Sequence, residues 1–478
     1  MYIAYILIPQ FMNNNNEYKL VIFILSWLGI FIGGFILITW KQISGKYFTP
    51  YTIFMLFFFL FNFGQCFMWA IGIHSPTEIG ATALYPNWGT ANDLDIVKAQ
   101  LLTVTSIISF HTGALYCFKK NIILSRKSIE IYNEKFLENK YKLTLKIIYR
   151  VSFFVGLIVI PISIYEAFKS FQVAQIHGYK ALYYSEHAQV LSGVIGILPN
   201  MFFSVLIGIL VGSKFSKNAR NFVYLVFSVY LVLNMLSGDR GSWIFKIVIL
   251  IWLIHTYYKQ MNLGKILVYL SLGTIFLYIV NSIVSLRNIG ISYESVLKSI
   301  DINNSPIVSG FFEMGGSMAP VIVLQKYGWD IWPYYNSYML SILTMLTTKI
   351  ATILDIPFGF IGSWFSQEYL KISYGAGFSI IAEAVMNYGP YLAPLILAIL
   401  GYIISSILYI NKNIDYKKNP LRIMFIVLTL NDLVPMARGY LHFPLKNWLY
   451  GTAPLLATIY IINKIIENKL SIKKYGVK

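Results

Sequence analysis

Long apolar runs alternate with short polar segments along almost the whole chain. Eleven of these runs approach the roughly 20 residues that a helix needs to cross a hydrocarbon core about 30 Å thick. They lie near residues 20–40, 51–73, 100–118, 147–167, 190–212, 221–237, 243–258, 265–285, 391–410, 421–437 and 446–463. A helix satisfies its own backbone polar groups within lipid. The pattern therefore predicts an all-α polytopic membrane protein, with residues 1–478 forming a single integral membrane domain.

The basic residues predict which loops face the cytoplasm. Groups of Lys and Arg follow the first, third, fifth, seventh, ninth and eleventh runs, and eleven spans place all of these groups on one side. Loops rich in Lys and Arg are typically cytoplasmic. We therefore expect a cytoplasmic C-terminus, with the N-terminus and the remaining loops on the external side.

The largest external loop is predicted to run from about residue 286 to residue 390. Such a length far exceeds an ordinary connection and is typical of a functional segment. Two moderately apolar segments within it, near residues 339–354 and 376–388, are consistent with interfacial helices or with an extra pair of spans. The predicted number of transmembrane helices is therefore about 11–13, with the same orientation in either case.

Composition excludes two classes of protein. Charged residues make up 12% of the chain, about half of the roughly 25% that soluble proteins carry, so a soluble enzyme fold is excluded. The net charge of +18 would suggest nucleic-acid binding in a soluble protein. Here the basic residues lie mostly in short loops, with no basic face interleaved with exposed aromatics, and we expect no nucleic-acid partner.

The hexapeptide SGDRGS at Ser237–Ser242 stands between two apolar runs. Its glycines allow a tight turn, and the helix that follows would direct its free N–H groups to the region that Arg240 also reaches. Helix N-termini and guanidinium groups both match anionic oxygens, which favours a phosphate site. A tight external turn, capped by Asp239 and with a snorkelling Arg240, explains the same residues, and spacing supports both interpretations.

Two further arginines lie at predicted external boundaries. Arg287 ends the eighth run, where a snorkelling role is the alternative to a functional one. Arg438 and His442 stand four residues apart between Pro435 and Pro444. If this stretch is helical, both side chains share one face; the alternative is a polar turn between the last two spans.

Acidic residues in apolar surroundings are few, and Glu383 is flanked by apolar residues on both sides. An unpaired carboxylate there costs several kcal/mol, so Glu383 requires an arginine partner, protonation or a water-filled cavity. Glu313 and Glu368 are candidates either for pairing with an arginine or for accepting a proton. The chain contains no Walker A loop, no helix-opening GxGxxG, no HExxH and no CxxC pair, so neither a metal site nor a cofactor is predicted.

Together these segments resemble the O-antigen polysaccharide polymerases of the Wzy type. The resemblance rests on Ser237–Ser242, on Arg287, on GAGFSIIAEAVMNYG at Gly375–Gly389 and on Arg438, and it covers residues from about 230 to 450. It implies a metal-independent, inverting glycosyltransferase with a GT-C-like fold in the bacterial cytoplasmic membrane. Its substrates would be undecaprenyl-pyrophosphate-linked oligosaccharide repeat units, joined into O antigen or capsule at the external face, and a chain-length regulator is a further candidate partner.

The resemblance and the chemistry of a pyrophosphate leaving group together suggest roles for single residues. Preorganised arginines in a low dielectric suit the developing charge, so we expect Arg240 and Arg438 to clamp the leaving pyrophosphate and Arg287 to position it or that of the acceptor. The candidates for the general base are His442 first and Glu383 second. The remaining candidates for contact with the substrate are Asp239, Glu313, Trp329 and Trp332; the two tryptophans suit sugar stacking or an interfacial aromatic belt equally well.

Three other functions share part of this pattern. An O-antigen ligase performs the same class of chemistry with a different acceptor, and its loss leaves long unattached chains, whereas loss of a polymerase leaves single repeats. A flippase for lipid-linked oligosaccharides should show internal repetition and basic residues deep within spans, whereas this chain shows no repeat and gathers its arginines at one boundary. A non-catalytic scaffold would tolerate the loss of every arginine named above.

Overall fold

The structure is a computed structural model. It describes residues 5, 15–73, 85, 88–127, 134–177, 182, 195–237, 243–262, 264, 268, 271, 308, 312, 314–347, 349–356, 360–372, 375–410 and 419–475.

The described residues form helices joined by turns and short irregular segments. In chain order the α-helices are α1 (Asn15–Ser44), α2 (Pro50–Ala70), α3 (Asp93–Lys127), α4 (Glu134–His177), α5 (Phe202–Gly212), α6 (Lys217–Ser237), α7 (Ile244–Leu253), α8 (Met318–Tyr327), α9 (Ser337–Thr344), α10 (Lys349–Ile353), α11 (Ile361–Trp364), α12 (Ile380–Ile407), α13 (Pro420–Leu433), α14 (His442–Asn447) and α15 (Ala453–Tyr475). Tighter 3₁₀ turns occupy Ile195–Met201, Gly315–Ser317 and Val434–Arg438, and wider π-helical turns occupy Ile254–Tyr258, Phe365–Tyr369 and Trp448–Thr452.

Nine helical stretches of the described residues are long and apolar enough to cross a membrane. They are Glu17–Ser44, Pro50–Ala70, Asp93–Asn121, Glu138–His177, Ile195–Gly212, Lys217–Ser237, Ile380–Ile407, Pro420–Arg438 and His442–Asn468. Each coincides with a predicted span, and the shorter apolar helix Ile244–Tyr258 occupies the seventh. Of the eighth predicted span, near residues 265–285, the structure describes only residues 268 and 271. An all-α polytopic membrane protein is thereby confirmed, while the total number of spans stays a prediction.

The helices extend beyond the apolar runs that predicted them. Helix α4 has 44 residues and is about 66 Å long at 1.5 Å per residue, roughly twice the thickness of the hydrocarbon core. Its polar ends remain helical because charged side chains stabilise a helix as pairs four residues apart. Such a pair joins Lys142 to Glu138 at 2.7 Å. Hydropathy therefore located this helix but underestimated its length.

The segment near 376–388 forms the beginning of helix α12, whose second part is the ninth predicted span. Helix α12 begins at Ile380 and continues to Ile407 across a kink at Gly389, where φ is 73°. This φ suits glycine, and the ring of the following Pro390 removes a backbone donor. The other apolar segment, near 339–354, forms α9 of eight residues and α10 of five, both too short to span. These two segments therefore do not add a pair of spans to the predicted eleven.

The chain divides into two compact units, each of which draws on several segments. The first unit comprises Met1–Asn121, Asn262–Ile407 and Leu433–Leu445. The second comprises Ile122–Met261, Leu408–Asp432 and Lys446–Lys478. A single integral membrane domain and a GT-C-like arrangement both stay predictions.

In the first unit, α3 and α12 approach each other through glycines. A Cβ atom placed on Gly401 would lie 2.0 Å from the carbonyl oxygen of Phe110, and one on Gly113 would lie 1.9 Å from that of Ala398. Small residues allow such close backbone contact between membrane helices, where van der Waals packing replaces the hydrophobic driving force. The two glycines therefore fix how α12 lies against α3.

In the second unit, α4 packs against α5 and α6. The carboxylate of Asp432, in α13, is buried and accepts hydrogen bonds from Thr452 Oγ1 at 2.7 Å and from Asn431 Nδ2 at 3.0 Å. Asp432 thus lies in a different unit from Arg438 and His442, although it precedes them closely in sequence.

We expect Gly401→Ala to destabilise the protein and Gly34→Ala to leave it unchanged or slightly more stable. The added methyl group at Gly401 overlaps the Phe110 carbonyl, which overpacks the contact by about 1–3 kcal/mol. At Gly34 no atom lies within 4 Å of the new Cβ atom, and alanine is the better helix former. Thermal unfolding in detergent, followed by tryptophan fluorescence, measures both; equal midpoints would contradict the proposed contact.

Candidate functional site

Arg438 lies at the end of a 3₁₀ turn rather than within a continuous helix. The turn Val434–Arg438 stops at Gly439, whose φ of −145° and ψ of −133° interrupt the helical path, and α14 begins only at His442. The Arg438 side chain is exposed, whereas His442 is 2% exposed. Three non-helical residues separate them, so the condition under which both side chains would share one helical face is not met.

Glu383 is fully buried and ties three segments of the first unit together. Its Oε1 accepts a hydrogen bond from the hydroxyl of Ser337 at 2.8 Å, and its Oε2 accepts one from the backbone N–H of Leu441 at 2.9 Å. None of the ion pairs found among the described residues involves Glu383. The carboxylate thus connects α12 to the first residue of α9 and to the segment that follows Arg438.

An amide reinforces the junction between α9 and α12. Asn387 Oδ1 accepts a hydrogen bond from the backbone N–H of Ser337 at 2.8 Å. Its Nδ2 donates to the hydroxyl of Ser337 at 2.8 Å and to the carbonyl of Glu383 at 2.7 Å. Asn387, Ser337 and Glu383 therefore form a closed set of hydrogen bonds, which fixes the rotamer of the buried carboxylate.

Asn62 in α2 contacts the same region from another helix. Its Nδ2 donates to the carbonyl of Ala437 at 2.9 Å, and its Oδ1 accepts from the hydroxyl of Ser379 at 2.6 Å. Sequence reasoning missed Asn62, Ser379, Ser337 and Asn387. For Asn62 a signal existed, since it is a polar amide in the middle of an apolar span.

Two tyrosines, the half-buried Tyr338 and the buried Tyr440, complete the surroundings of the carboxylate. Burial first, and the neighbouring Glu383 second, raises the pKa of the hydroxyls of Tyr338 and Tyr440 above the ordinary value. Both phenols therefore stay neutral. The ring of Tyr440 stacks on Phe360 at 5.5 Å between centroids, and a Cβ atom at Gly362 would overlap it at 2.1 Å. The glycine thus makes room for Tyr440 beside Leu441.

His442 is oriented by a hydroxyl and an aromatic ring. Its Nδ1 lies 3.3 Å from Thr344 Oγ1, and its ring stacks on Phe360 with 5.0 Å between centroids. The Thr344 hydroxyl also donates to the carbonyl of Leu340 at 2.6 Å. Thr344 and Phe360 together fix the orientation of the imidazole ring.

The two candidate tryptophans differ in accessibility. Trp332 is 8% exposed, its Nε1 donates to the carbonyl of Tyr335 at 2.7 Å, and its ring packs edge-on against Trp364 at 5.1 Å. Trp329 is 39% exposed and lies over Gly389, where an added Cβ atom would come within 3.3 Å of the indole. Trp329 therefore offers a surface to a ligand, whereas Trp332 is packed in the protein.

Four candidate residues lie outside the described part of the chain, namely Arg240, Asp239, Arg287 and Glu313. Glu368 is described, and it pairs at the surface with Lys371 at 2.7 Å. Within the described residues there is no group of three or more His, Cys, Asp or Glu side chains that could hold a metal ion. Arg438 and His442 therefore lie in one segment, which Glu383 holds through Leu441. Contacts of this segment with Arg240 and Arg287 stay predictions.

The chain matches the model of a known protein family. The family model described as O-antigen polysaccharide polymerase Wzy matches residues 1–469, which is essentially the whole chain rather than only its second half. No curated protein and no solved structure matches the chain significantly.

We expect Glu383→Ala to destabilise the protein and Glu368→Ala to have no measurable effect on stability. Removing the Glu383 carboxylate leaves the buried hydroxyl of Ser337 and the part-buried N–H of Leu441 without their acceptor, which costs about 1–3 kcal/mol. Glu368 is half-exposed, and its surface ion pair contributes little. Thermal unfolding midpoints of the two variants decide this, and an unchanged midpoint for Glu383→Ala would refute the structural role of its carboxylate.

Proposed function

The chain belongs to the O-antigen polysaccharide polymerase Wzy family, and from this premise we propose how its residues perform the reaction. Membership in the family makes the protein a multi-pass membrane glycosyltransferase that polymerises lipid-linked O-antigen repeat units. What we propose beyond this is the chemistry: a metal-independent, inverting transfer at the external face of the bacterial inner membrane. The C-terminus is cytoplasmic in this proposal, because the basic loops then lie inside.

The proposed reaction is a single displacement between two lipid-linked glycans. A sugar hydroxyl of the acceptor forms a bond to the anomeric carbon of the donor, and the bond from that carbon to the pyrophosphate oxygen breaks. The configuration at the anomeric carbon inverts, a base receives the hydroxyl proton, and undecaprenyl pyrophosphate leaves. The glycan grows by one repeat unit, and the new chain is attached to the lipid of the acceptor.

Arg438 is the residue that we assign to the leaving pyrophosphate. The observation that carries this assignment is its exposed guanidinium on a backbone segment anchored on both sides, through Ala437 to Asn62 and through Leu441 to Glu383. A guanidinium forms two parallel hydrogen bonds to phosphate oxygens, and a preorganised group needs no reorganisation as charge develops. Arg240 is proposed as the second arm of the clamp, with Arg287 positioning this pyrophosphate or that of the acceptor.

The arginines are also why we propose independence from metal ions. A departing pyrophosphate needs neutralisation of its negative charge, and guanidinium groups in a low dielectric supply it. The clamp of Arg240 and Arg438 would therefore perform the task that a divalent cation performs in other phosphate-releasing enzymes.

His442 is our choice for the general base. Thr344 and the Phe360 ring orient the imidazole, which in this proposal takes the proton of the acceptor hydroxyl. Glu383 was the second candidate, but both of its carboxylate oxygens already accept hydrogen bonds from the protein. We therefore propose Glu383 as a positioning residue for the segment that carries Arg438 and His442.

The glycan is proposed to contact the aromatic surface around Trp329. Of the two candidate tryptophans, Trp329 has the accessible indole. Trp332 would hold the neighbouring backbone through its hydrogen bond to the Tyr335 carbonyl. Asp239 and Glu313 remain proposed hydrogen-bonding partners of the sugars. A chain-length regulator remains a proposed protein partner.

Membership in the family favours polymerisation over the ligase and flippase alternatives. Reconstitution of the full chain into liposomes with undecaprenyl-pyrophosphate-linked repeat units tests this directly. We expect a ladder of products on the lipid carrier together with released undecaprenyl pyrophosphate. Transfer of glycan to lipid A core without a ladder would identify a ligase, and movement of intact substrate across the bilayer without release would identify a flippase.

We expect Arg438→Ala to lower the rate of polymerisation by about 10²–10³-fold, the usual loss when one preorganised donor to a transition state is removed. Arg438→Lys should also be poor, because an ammonium group lacks the planar fork. Arg240→Ala should match Arg438→Ala. The control is Arg150→Ala, at an exposed arginine of the other compact unit. Product ladders from radiolabelled repeat units measure the rates. Long-chain product at the parent rate in both alanine variants would contradict the proposed clamp.

The two tryptophans should respond differently to substitution by alanine. Trp329→Ala removes an exposed ring and should raise the KM for the repeat unit several-fold without lowering the unfolding temperature. Trp332→Ala removes a buried ring, which costs about 3–5 kcal/mol of stability. Kinetics and thermal unfolding of both variants check this. An unchanged KM for Trp329→Ala would exclude its ring from the glycan site.

A further inference from the structure

Asn62 is a polar residue in the middle of an apolar helix. Helix α2 carries it between Phe61 and Phe63, and its side chain is 1% exposed. Burying an amide in such surroundings is costly unless its hydrogen bonds are made. Its partners therefore reveal why the position is not apolar like its neighbours.

The hydrogen bonds of Asn62 determine how its amide is oriented and which segments it joins. Nδ2 donates to the carbonyls of Phe58, one turn earlier, and of Ala437, and Oδ1 accepts from the hydroxyl of Ser379. Turning the amide over would place its oxygen against two carbonyl oxygens, so the assignment of N and O is determined. One bond satisfies the helix itself, and the other two join it to separate segments of the same unit.

Both of these segments belong to the support of Arg438. Ala437 immediately precedes Arg438, and its carbonyl is fixed by the Asn62 bond at 2.9 Å. Ser379 precedes α12 and accepts the N–H of Ile381 at 3.1 Å, so it also caps the helix that carries Glu383. Asn62 therefore holds the chain directly before Arg438, as Glu383 holds it three residues after.

We propose that Asn62 is a positioning residue for Arg438. By fixing the Ala437 carbonyl it sets the direction in which the guanidinium leaves the 3₁₀ turn. Catalysis depends on such alignment, since a misplacement of about 1 Å can cost about 10²-fold in rate. This inference rests on the proposed role of Arg438 in binding the leaving pyrophosphate.

The test compares Asn62→Leu with Gln100→Met in the full chain reconstituted with lipid-linked repeat units. Each variant replaces a buried amide by an apolar side chain of similar shape. The Gln100 amide donates to the Ile22 carbonyl, the Ser26 hydroxyl and the Cys66 sulfur, none of which lies in the segment that carries Arg438, which makes it the matched control. Asn62→Leu should lower kcat by about 10–100-fold with KM within about twofold of the parent value. Gln100→Met should retain the parent kcat, although both variants lose stability.

A double variant shows whether Asn62 acts through Arg438. With labelled substrate the residual rate of Arg438→Ala is measurable, and Asn62→Leu added to it should cause no further loss, because the group being positioned is already gone. A multiplicative loss in the double variant, or a parent-like kcat for Asn62→Leu beside a slow Arg438→Ala, overturns the positioning role alone. A parent-like kcat for Arg438→Ala overturns the proposed function of Arg438 itself.

Ser379→Ala tests the positioning role of Asn62 if Asn62→Leu does not fold. This variant removes the hydroxyl that holds Asn62 Oδ1, which also accepts the Ile381 N–H, and it leaves the apolar packing of α2 intact. The amide then loses one of its restraints, and we expect kcat to fall about threefold to tenfold with an unchanged KM. A folded Ser379→Ala protein with the parent kcat would overturn the inference.

Discussion

The hydrogen bond from the backbone N–H of Leu441 to the buried carboxylate of Glu383 is the interaction on which the arrangement around Arg438 depends. A carboxylate removed from water is costly when left unpaired, and the Leu441 N–H satisfies one of its oxygens here. The contact joins residues 58 positions apart. Because it cannot slip by one residue without leaving a buried group unsatisfied, it fixes where the non-helical segment 439–441 lies against α12.

The rest of the support follows from the same constraint. Ser337 satisfies the second oxygen of Glu383, and Asn387 satisfies Ser337, so that α9 is held to α12 by a closed set of hydrogen bonds. Asn62 fixes the other side of the Arg438 segment from α2. An exposed guanidinium therefore projects from a backbone with little freedom, which is the condition under which a cation stabilises developing charge with little reorganisation.

Hydropathy predicted the positions of the helices better than their lengths. The apolar runs located the spans, because their length must match the hydrocarbon core, and the family was identifiable from short polar motifs at their ends. Hydropathy did not predict the full length of α4, because the polar residues at its ends are also helical. It also separated 376–388 from 391–410, because the kink at Gly389 and Pro390 resembles a loop in sequence.

What the sequence determined by itself was the fold class, the family and the choice of Arg438, His442 and Glu383 as unusual residues, since solvation by lipid acts on each position separately. Only the tertiary structure decided that Glu383 bonds to Leu441 rather than to an arginine, that His442 is buried while Arg438 is exposed, and that Asn62 reaches Ala437. These are pairings between segments far apart in the chain. A sequence shows that a buried polar group needs a partner, but only the packing of helices determines which partner comes within about 3 Å.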